Sequence, residues 1–179
     1  TARAQQMIGK MATIKLQMVD TKNDAQQAQT SGIVPFGDTL FRGPSGMPIL
    51  LKNDVVLDGR SITGAASTRD QQSGRPSVSV QTSGAQVARF FRITGENIGK
   101  PMATVYVETK TSKQLVNGKV KYSTYPVSKV INVATIRAAL SNFVITGLDS
   151  MQEASDLALQ LRSGAYSAPV VYAQTQIVG

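Results

Sequence analysis

The feature that most constrains the fold is a strand–helix–strand unit that occurs twice. The first copy spans residues 83–107 and the second residues 143–171, and in each copy a proline opens the last strand. Both helices carry start and stop signals that can be recognised without any structure. Two such units with a hairpin between them predict an α+β fold, in which a mixed sheet carries its helices on one face.

The first helix is predicted to begin at a capping box, Ser83 with Gln86 three residues later. Gly99 supplies the left-handed end, and Pro101 prevents the helix from continuing. Apolar and small residues at helical spacing predict its buried face. These residues are Val87, Ala88, Phe91, Thr94 and Ile98.

The second helix repeats this logic with a capping box of Ser150 and Glu153. Gly164 ends it, and Pro169 opens a final strand. A stripe at helical spacing predicts core packing rather than a cofactor site. The stripe consists of Met151, Ala154, Leu157, Ala158 and Leu161.

The N-terminal third is less regular. Residues 1–10 are typical of the last turns of a helix, and residues 12–19 alternate like a half-buried strand. Residues 20–47 lack periodicity and predict an exposed crossover. Residues 49–57 predict two short strands around a turn at Lys52-Asn53-Asp54, and polar residues 59–76 predict mobile surface.

The second half of the chain has clearer strand signals. Residues 77–81 and 127–133 alternate, and residues 102–108 place Ala103, Val105 and Val107 on one face. Asn117-Gly118 between two alternating runs predicts a two-residue hairpin. Residues 135–140 are predicted to form a short helical turn.

Composition argues against an enzyme. The chain has no cysteine and no histidine, so thiol chemistry and the usual general base are excluded. Its eleven acidic residues do not cluster like metal ligands, and Asp54 and Asp58 are predicted to be solvated strand ends. No catalytic residue, metal or cofactor is therefore predicted. No apolar run is long enough to cross a bilayer, which predicts a soluble piece, and an opening at Thr1 suggests a fragment.

Basic residues dominate the predicted hairpin. The net charge is +8, and the hairpin carries Lys110, Lys113, Lys119 and Lys121 with Tyr122 and Tyr125 interleaved. Such a pattern fits a solvated surface, a surface for anionic lipid headgroups or acidic polypeptide, or a nucleic-acid surface of cations and stacking rings. No RNA- or DNA-binding fingerprint accompanies it. A lysine-rich edge also discourages pairing with other strands.

Four segments have specific wording: GENIGKPMATVYVE at residues 95–108, EASDLALQLRSGAYSAPV at residues 153–170, TARAQQMIGKMATIKLQMVD at residues 1–20, and residues 55–63. Together they resemble SecD, the accessory subunit of the Sec protein translocase. The segments occur in order along the chain. Periodicity alone would not require runs such as NIGKP or LRSGA.

The resemblance implies a fragment of the first periplasmic domain of SecD, with a mobile head inserted through a ferredoxin-like base. Residues 1–19 and 169–179 would then belong to an incomplete base, residues 20–48 to a crossover and residues 49–168 to the head. A swinging head needs hinges at the ends of elements. The implied hinge candidates are Asp20, Gly164 and Pro169. For Gly164, a plain helix C-cap is an equally good interpretation.

The function implied by the resemblance is non-enzymatic. The domain would grip an emerging preprotein, through an apolar or mixed groove on the head, while SecD and SecF use the proton-motive force to assist export. Its partners would be the preprotein, SecF and the Sec channel, and its place the periplasmic side of the bacterial inner membrane, where the full-length protein is anchored. The alternative is a basic nucleic-acid-binding module, whose affinity would fall steeply with salt.

Overall fold

The computed structural model describes residues 11–163, and these residues confirm the α+β class. The strands are β1 (Met11–Val19), β2 (Asp38–Arg42), β3 (Pro48–Asp58), β4 (Ile62–Arg69), β5 (Pro76–Thr82), β6 (Pro101–Val116), β7 (Lys119–Thr135) and β8 (Phe143–Ile145). The helices are α1 (Ala25–Ser31), α2 (Ala85–Glu96) and α3 (residues 151–163), with a 3₁₀ turn at Gly59–Ser61. The predicted helix at residues 1–10 and the predicted strand after Pro169 lie outside the described residues.

The larger sheet has five antiparallel strands in the order β2-β3-β1-β6-β7. β1 lies between β3 and β6, so it is more deeply buried than the half-buried strand predicted. Ile14, Leu16 and Met18 are buried on one face, and Gln17 is buried on the other. β1, which was predicted to be part of the base, thus pairs directly with β3 and β6 of the predicted head; the division itself stays a prediction.

The smaller sheet has three antiparallel strands in the order β4-β5-β8. The prediction of mobile surface at residues 59–76 was wrong, because residues 62–69 form β4 and pair along β5. Small side chains hide the strand pattern here, since only Ile62 and Ala65 are buried apolar residues. Gly59 is needed where the chain enters this sheet, because a Cβ there would lie 1.8 Å from Thr13 Oγ1.

β3 is one strand rather than the two predicted around Lys52-Asn53-Asp54. The polar residues lie at an irregularity in the pairing with β1, where Gln17 pairs with Val55 and Val19 pairs with Leu51. The extra residues bulge out into solvent without ending the strand. Gln17 Nε2 donates to the carbonyl of Lys52 at 2.9 Å and holds the bulge.

Residues 20–47 contain regular structure that their composition did not predict. Asp24 caps α1 by accepting from the backbone N–H groups of Gln26 and Gln27, and Gly32 ends the helix at φ 75°. β2 then pairs with β3 along its full length. The local signals were present in the cap and the glycine, but α1 is short and buries only Ala28.

The main core lies between the five-stranded sheet and a second layer of α2, α3 and the smaller sheet. Its largest fully buried side chain is Phe90, whose ring meets that of Phe143 edge-on at 6.0 Å. α3 contributes the predicted stripe: Ala154, Leu157, Ala158 and Leu161 are buried, and Met151 is partly buried. A second cluster of Leu51, Ala103, Val105 and Val130 covers the opposite face of the sheet, with Val107 packed against it.

The start of α2 departs from the prediction. No side chain caps it, because the N-cap residue is Gly84 and Gln86 instead bonds to the backbone N–H and a carboxylate oxygen of Asp58. The predicted buried face was only partly correct, because Thr94 is buried and Val87 partly buried, as predicted, but Ala88 is exposed. Phe90 is buried, whereas Phe91 is 53% exposed and Ile98 56% exposed.

The connection around residues 135–140 was predicted to be helical and is not. The backbone N–H of Ile136 donates to the carbonyl of Lys100, and the N–H of Gly99 donates to the carbonyl of Ile136. These bonds hold the start of the segment beside the end of α2. Gly99 has the predicted left-handed conformation at φ 90°.

Candidate functional site

A groove of about 640 Å³ lies between the β6–β7 hairpin and α3. One wall comes from the strands and the other from the start of the helix. Its lining residues are Tyr106, Glu108, Lys110, Val127, Lys129, Ile131, Leu148, Ser150, Gln152, Glu153, Asp156, Leu157 and Gln160. The groove therefore combines apolar residues with charges of both signs.

The strand wall follows from the antiparallel register. Tyr106 is paired with Lys129, and Glu108 with Val127, so these four side chains share the face that looks towards α3. A register shift follows Thr104 of β6, where the partner changes from Asn132 to Val130 and leaves Ile131 as the extra residue of a bulge. The bulge turns a partly buried isoleucine into the groove.

The helix wall depends on a local signal that the sequence carries. Ser150 Oγ accepts from the N–H of Glu153 at 3.1 Å, which confirms the second capping box. The Glu153 carboxylate in turn accepts from the N–H of Asp149 at 3.0 Å. Because the cap fixes where α3 begins, it also fixes which side chains line the groove. Gln152 donates to Asp156 one turn later, at 3.0 Å.

Tyr106 joins the two walls. Its hydroxyl donates to Gln160 Oε1 at 2.9 Å. Burial, and to a lesser degree the nearby Glu108 carboxylate, raises the pKa of Tyr106 to about 12. The phenol is therefore protonated at any physiological pH and keeps its donor for Gln160.

The groove offers both apolar contact and hydrogen-bonding groups. It offers apolar contact at Leu148, Leu157 and Val127, together with amide and carboxylate groups that can hydrogen-bond a peptide backbone. Among residues 11–163, no cluster of three or more metal-ligating side chains occurs. Such a mixture fits an extended ligand without strict sequence requirements.

The structure divides the predicted basic residues between two faces. Pairing places Lys110, Lys119 and Lys121 on the face of the groove, while Lys113 lies with its partner Tyr122 on the opposite face. Tyr125 pairs with Lys110, so Tyr122 and Tyr125 also lie on opposite faces of the hairpin. Of these four lysines, only Lys110 lines the groove.

Of the three hinge candidates, the structure describes Asp20; Gly164 and Pro169 lie outside the described residues. Asp20 is buried at the end of β1, and its carboxylate accepts from Lys22 N at 2.8 Å and Asn23 Nδ2 at 2.7 Å. Hydrogen bonds from Asp38 and Asn23 hold the pKa of Asp20 well below its ordinary value. Burial and the neighbouring Asp20 raise the pKa of Asp38 to about 6.

The resemblance implied an apolar or mixed groove on the head without naming its residues. The charge pattern singles out Lys110 and the helical stripe singles out Leu157, but neither pattern marks Gln152, Asp156 or Gln160. The polar positions of α3 at spacing i, i+4, i+8 were the available signal. That signal predicts a helix face, but not which strand the face meets.

Comparison with known proteins identifies a matching family. Residues 37–168 match the family described as SecDF, P1 head subdomain. The chain is 37% identical over 181 residues to protein translocase subunit SecD of Escherichia coli K12, covering 100% of this chain and 29% of that protein. It is 34% identical over 188 residues to the SecD subunit of Pseudomonas aeruginosa, with the same coverage of 100% and 29%. The chain thus spans less than a third of the length of these relatives.

Solved structures agree with the sequence relatives. A crystal structure of SecDF in a super-membrane-facing form matches with a TM-score of 0.58 at 26% identity, over 91% of this chain and 20% of that chain. A second structure, described as a membrane component SecDF that enhances protein export, matches with a TM-score of 0.56 at 25% identity. That match covers 91% of this chain and 67% of the other.

Proposed function

This chain belongs to the SecDF P1 head family, and from that membership we propose that it assists protein export by transiently binding a preprotein. The SecD relatives are subunits of the protein translocase. The observation that carries the proposal is the groove of about 640 Å³ between the β6–β7 hairpin and α3. It provides space for a few side chains of an extended polypeptide.

The groove suits a client of variable sequence. Leu148, Leu157 and Ile131 provide apolar contact that many side chains can use, while Gln152 and Glu153 offer hydrogen bonds to a backbone. Lys129 and Asp156 add opposite charges that favour neither acidic nor basic clients. Binding of this kind is weak and reversible, as a machine that must release its client requires.

The remaining steps belong to the whole protein, of which this chain is a part. The head moves relative to its base at hinges near Asp20 and residues 164–169, on the periplasmic side of the inner membrane. SecF and the Sec channel are the partners, and the proton-motive force drives the cycle. The role is binding without catalysis. Nucleic acid is the weaker alternative, because the hairpin tyrosines lie on opposite faces and offer no common stacking platform.

Crosslinking tests the groove directly, because the chain has no cysteine of its own. Val127→Cys introduces a single thiol into the groove. Val144→Cys introduces one on β8, at a side chain that is 49% exposed and outside the groove lining. Each variant is labelled with a photo-activated crosslinker and mixed with an unfolded secretory polypeptide. We expect crosslinks from position 127 at several times the yield from position 144.

Equal yields from both positions would contradict the groove as the binding site. A labelled single-stranded oligonucleotide serves as the competing ligand. Preferential crosslinking of the oligonucleotide, lost at high salt, would favour the nucleic-acid alternative. A folded polypeptide is the control that separates binding of unfolded clients from non-specific adsorption.

A further inference from the structure

The outer half of the β6–β7 hairpin extends beyond the sheet. β1 pairs with β6 as far as Thr109, and from there on β6 pairs with β7 alone among the described residues. We call residues 110–125 the hairpin arm. Seven residue pairs at about 3.3 Å each make it roughly 23 Å long. An arm of this length presents its tip well away from the main core.

The tip of the arm is apolar and exposed. Leu115 is 74% exposed, Val120 is 47% exposed and Val116 is 37% exposed. Leu115 and Val120 are a cross-strand pair on one face, whereas Val116 pairs with Lys119 and lies on the other face. Apolar side chains thus lie on both sides of the Asn117-Gly118 turn, where the core formed by residues 11–163 does not cover them.

Positive charge surrounds this tip on every side. Lys113 lies on one face of the arm, and Lys119, Lys121 and Lys110 lie on the other. No acidic residue occurs in the sequence between Glu108 and Asp149. Tyr122 and Tyr125 are 59% and 44% exposed and lie farther from the tip than Val120. At the tip itself apolar and basic residues are mixed, since Val116 pairs with Lys119 next to the turn and Leu115 pairs with Val120. Farther from the turn, Tyr122 lies level with Lys113 and Tyr125 lies level with Lys110.

The distribution of the lysines and tyrosines over two faces discriminates between partners. A nucleic-acid or peptide groove would gather its cations and rings on one face, but here both kinds are divided between two faces. Two-sided basic charge around an apolar tip fits a layer into which the tip is inserted end-on. A bilayer has this arrangement, since anionic headgroups surround any group that reaches the acyl chains. Lysine stems and tyrosine rings are well suited to that boundary.

We propose that the hairpin arm docks end-on into a lipid bilayer that carries anionic headgroups. Leu115, Val116 and Val120 enter the boundary between headgroups and acyl chains. The four lysines contact lipid phosphates, and the two tyrosines lie at headgroup level. Apart from Lys110, this contact uses residues outside the groove lining, and it would anchor one end of the head on the membrane surface.

Vesicle co-sedimentation of the whole 179-residue chain tests the proposal. We expect binding to vesicles of phosphatidylglycerol and phosphatidylcholine that weakens as salt rises, and at least tenfold weaker binding to phosphatidylcholine alone. Lys119→Gln with Lys121→Gln should weaken binding about 25-fold, at about fivefold per lysine. The matched control, Lys22→Gln with Lys100→Gln, removes the same charge from exposed sites off the arm and should change binding less than twofold.

The apolar contribution is tested separately. Leu115→Ser with Val120→Ser should weaken vesicle binding at least fivefold, while Phe36→Ser, at a fully exposed phenylalanine elsewhere, should leave it unchanged. Circular dichroism confirms that each variant is folded. Equal losses in arm and control variants would overturn the proposal in favour of non-specific attraction by the net charge. Binding to free phosphate, an oligonucleotide or an unfolded polypeptide that matches vesicle binding and depends on the same lysines would overturn it as well.

Discussion

The β6–β7 hairpin contains two regions that share one antiparallel ladder and differ in how deeply their side chains are buried. Towards the open end, Ala103, Val105 and Val130 are almost completely buried and pack against Leu51. In the hairpin arm, every residue from 113 to 125 is exposed. The backbone pairing continues without interruption from Val105 to Val116. Cross-strand hydrogen bonds therefore do not decide which region belongs to the core.

The difference shows what each region contributes. In the inner region, burial of apolar area stabilises the fold, since each buried aliphatic side chain contributes about 1.5–3 kcal/mol. In the arm, the same residue types gain little by folding and remain available to a partner. Substitutions in the core should therefore change stability, and substitutions in the arm should change binding. The following predictions test that division.

The largest effect is expected at Phe90. Phe90→Ala removes a fully buried ring and its edge-on contact with Phe143, and should lower the free energy of unfolding by about 3–5 kcal/mol. Urea denaturation measures the loss. The neighbouring Phe91→Ala is the matched control, because Phe91 is 53% exposed and should cost less than about 1 kcal/mol. A comparable loss at both positions would contradict the orientation of α2.

The two phenylalanines also show what the sequence could not decide. Phe90 and Phe91 are neighbours in α2 and lie on two adjacent faces of the helix. Both faces carry apolar residues at helical spacing. A tertiary contact with Phe143, 53 residues away in the chain, selects Phe90. The same applies to the cap of α2, because Gln86 bonds to Asp58 instead of to the start of its own helix. The cap of α3 has no such competitor, and its prediction is confirmed.

Strands with small or polar residues were also not predicted correctly from the sequence. β4 has too few large apolar residues to show alternation, and the bulge at residues 52–54 resembles a turn in composition. The Asn117-Gly118 hairpin was predictable because it needs only two residues in left-handed conformations, at φ 53° and 75°. The groove needs α3 to meet β6 across 54 residues of chain, which no local pattern encodes.

A smaller effect is expected from the Asp20–Asp38 pair, where Asp20 follows β1 and Asp38 begins β2. The pKa of Asp38 is raised to about 6, so the folded protein binds a proton more tightly than the unfolded chain does. The free energy of unfolding should therefore fall as pH rises from about 4 to about 6. The lowered pKa of Asp20 acts in the opposite direction, and its contribution is lost below about pH 4.

Asp38→Asn tests this linkage by holding position 38 uncharged at every pH. We expect it to remove the slope between pH 4 and 6, and to raise the free energy of unfolding at pH 7 by on the order of 1 kcal/mol. Lys52, whose charge partly opposes the raised pKa, is unchanged in the variant. Denaturation curves at several pH values provide the measurement. An unchanged slope would show that Asp38 is ionised in the folded protein throughout this range.

Tyr106 tests the border between the core and the arm. Tyr106→Phe removes the hydroxyl that donates to Gln160, and should cost about 0.5–1 kcal/mol in thermal or urea unfolding. Tyr122→Phe in the arm removes an exposed hydroxyl and should change stability by no more than a few tenths of a kcal/mol. If Gln160→Ala adds nothing to Tyr106→Phe, the two side chains act as one contact. Full additivity would mean that the bond contributes nothing.

The smallest change in global stability is expected at the turn of the arm. Gly118→Ala forces a side chain into φ 75° and strains the turn by about 1 kcal/mol. Because the arm can open without unfolding the core, the global free energy should change by less than about 0.3 kcal/mol. Hydrogen exchange should instead show amides of residues 110–125 exchanging about fivefold faster, with residues 101–109 unchanged. Asn117→Gly is the control, since glycine adopts φ 53° without strain. A global loss equal to the strain would mean that arm and core unfold together, and the division between them would fail.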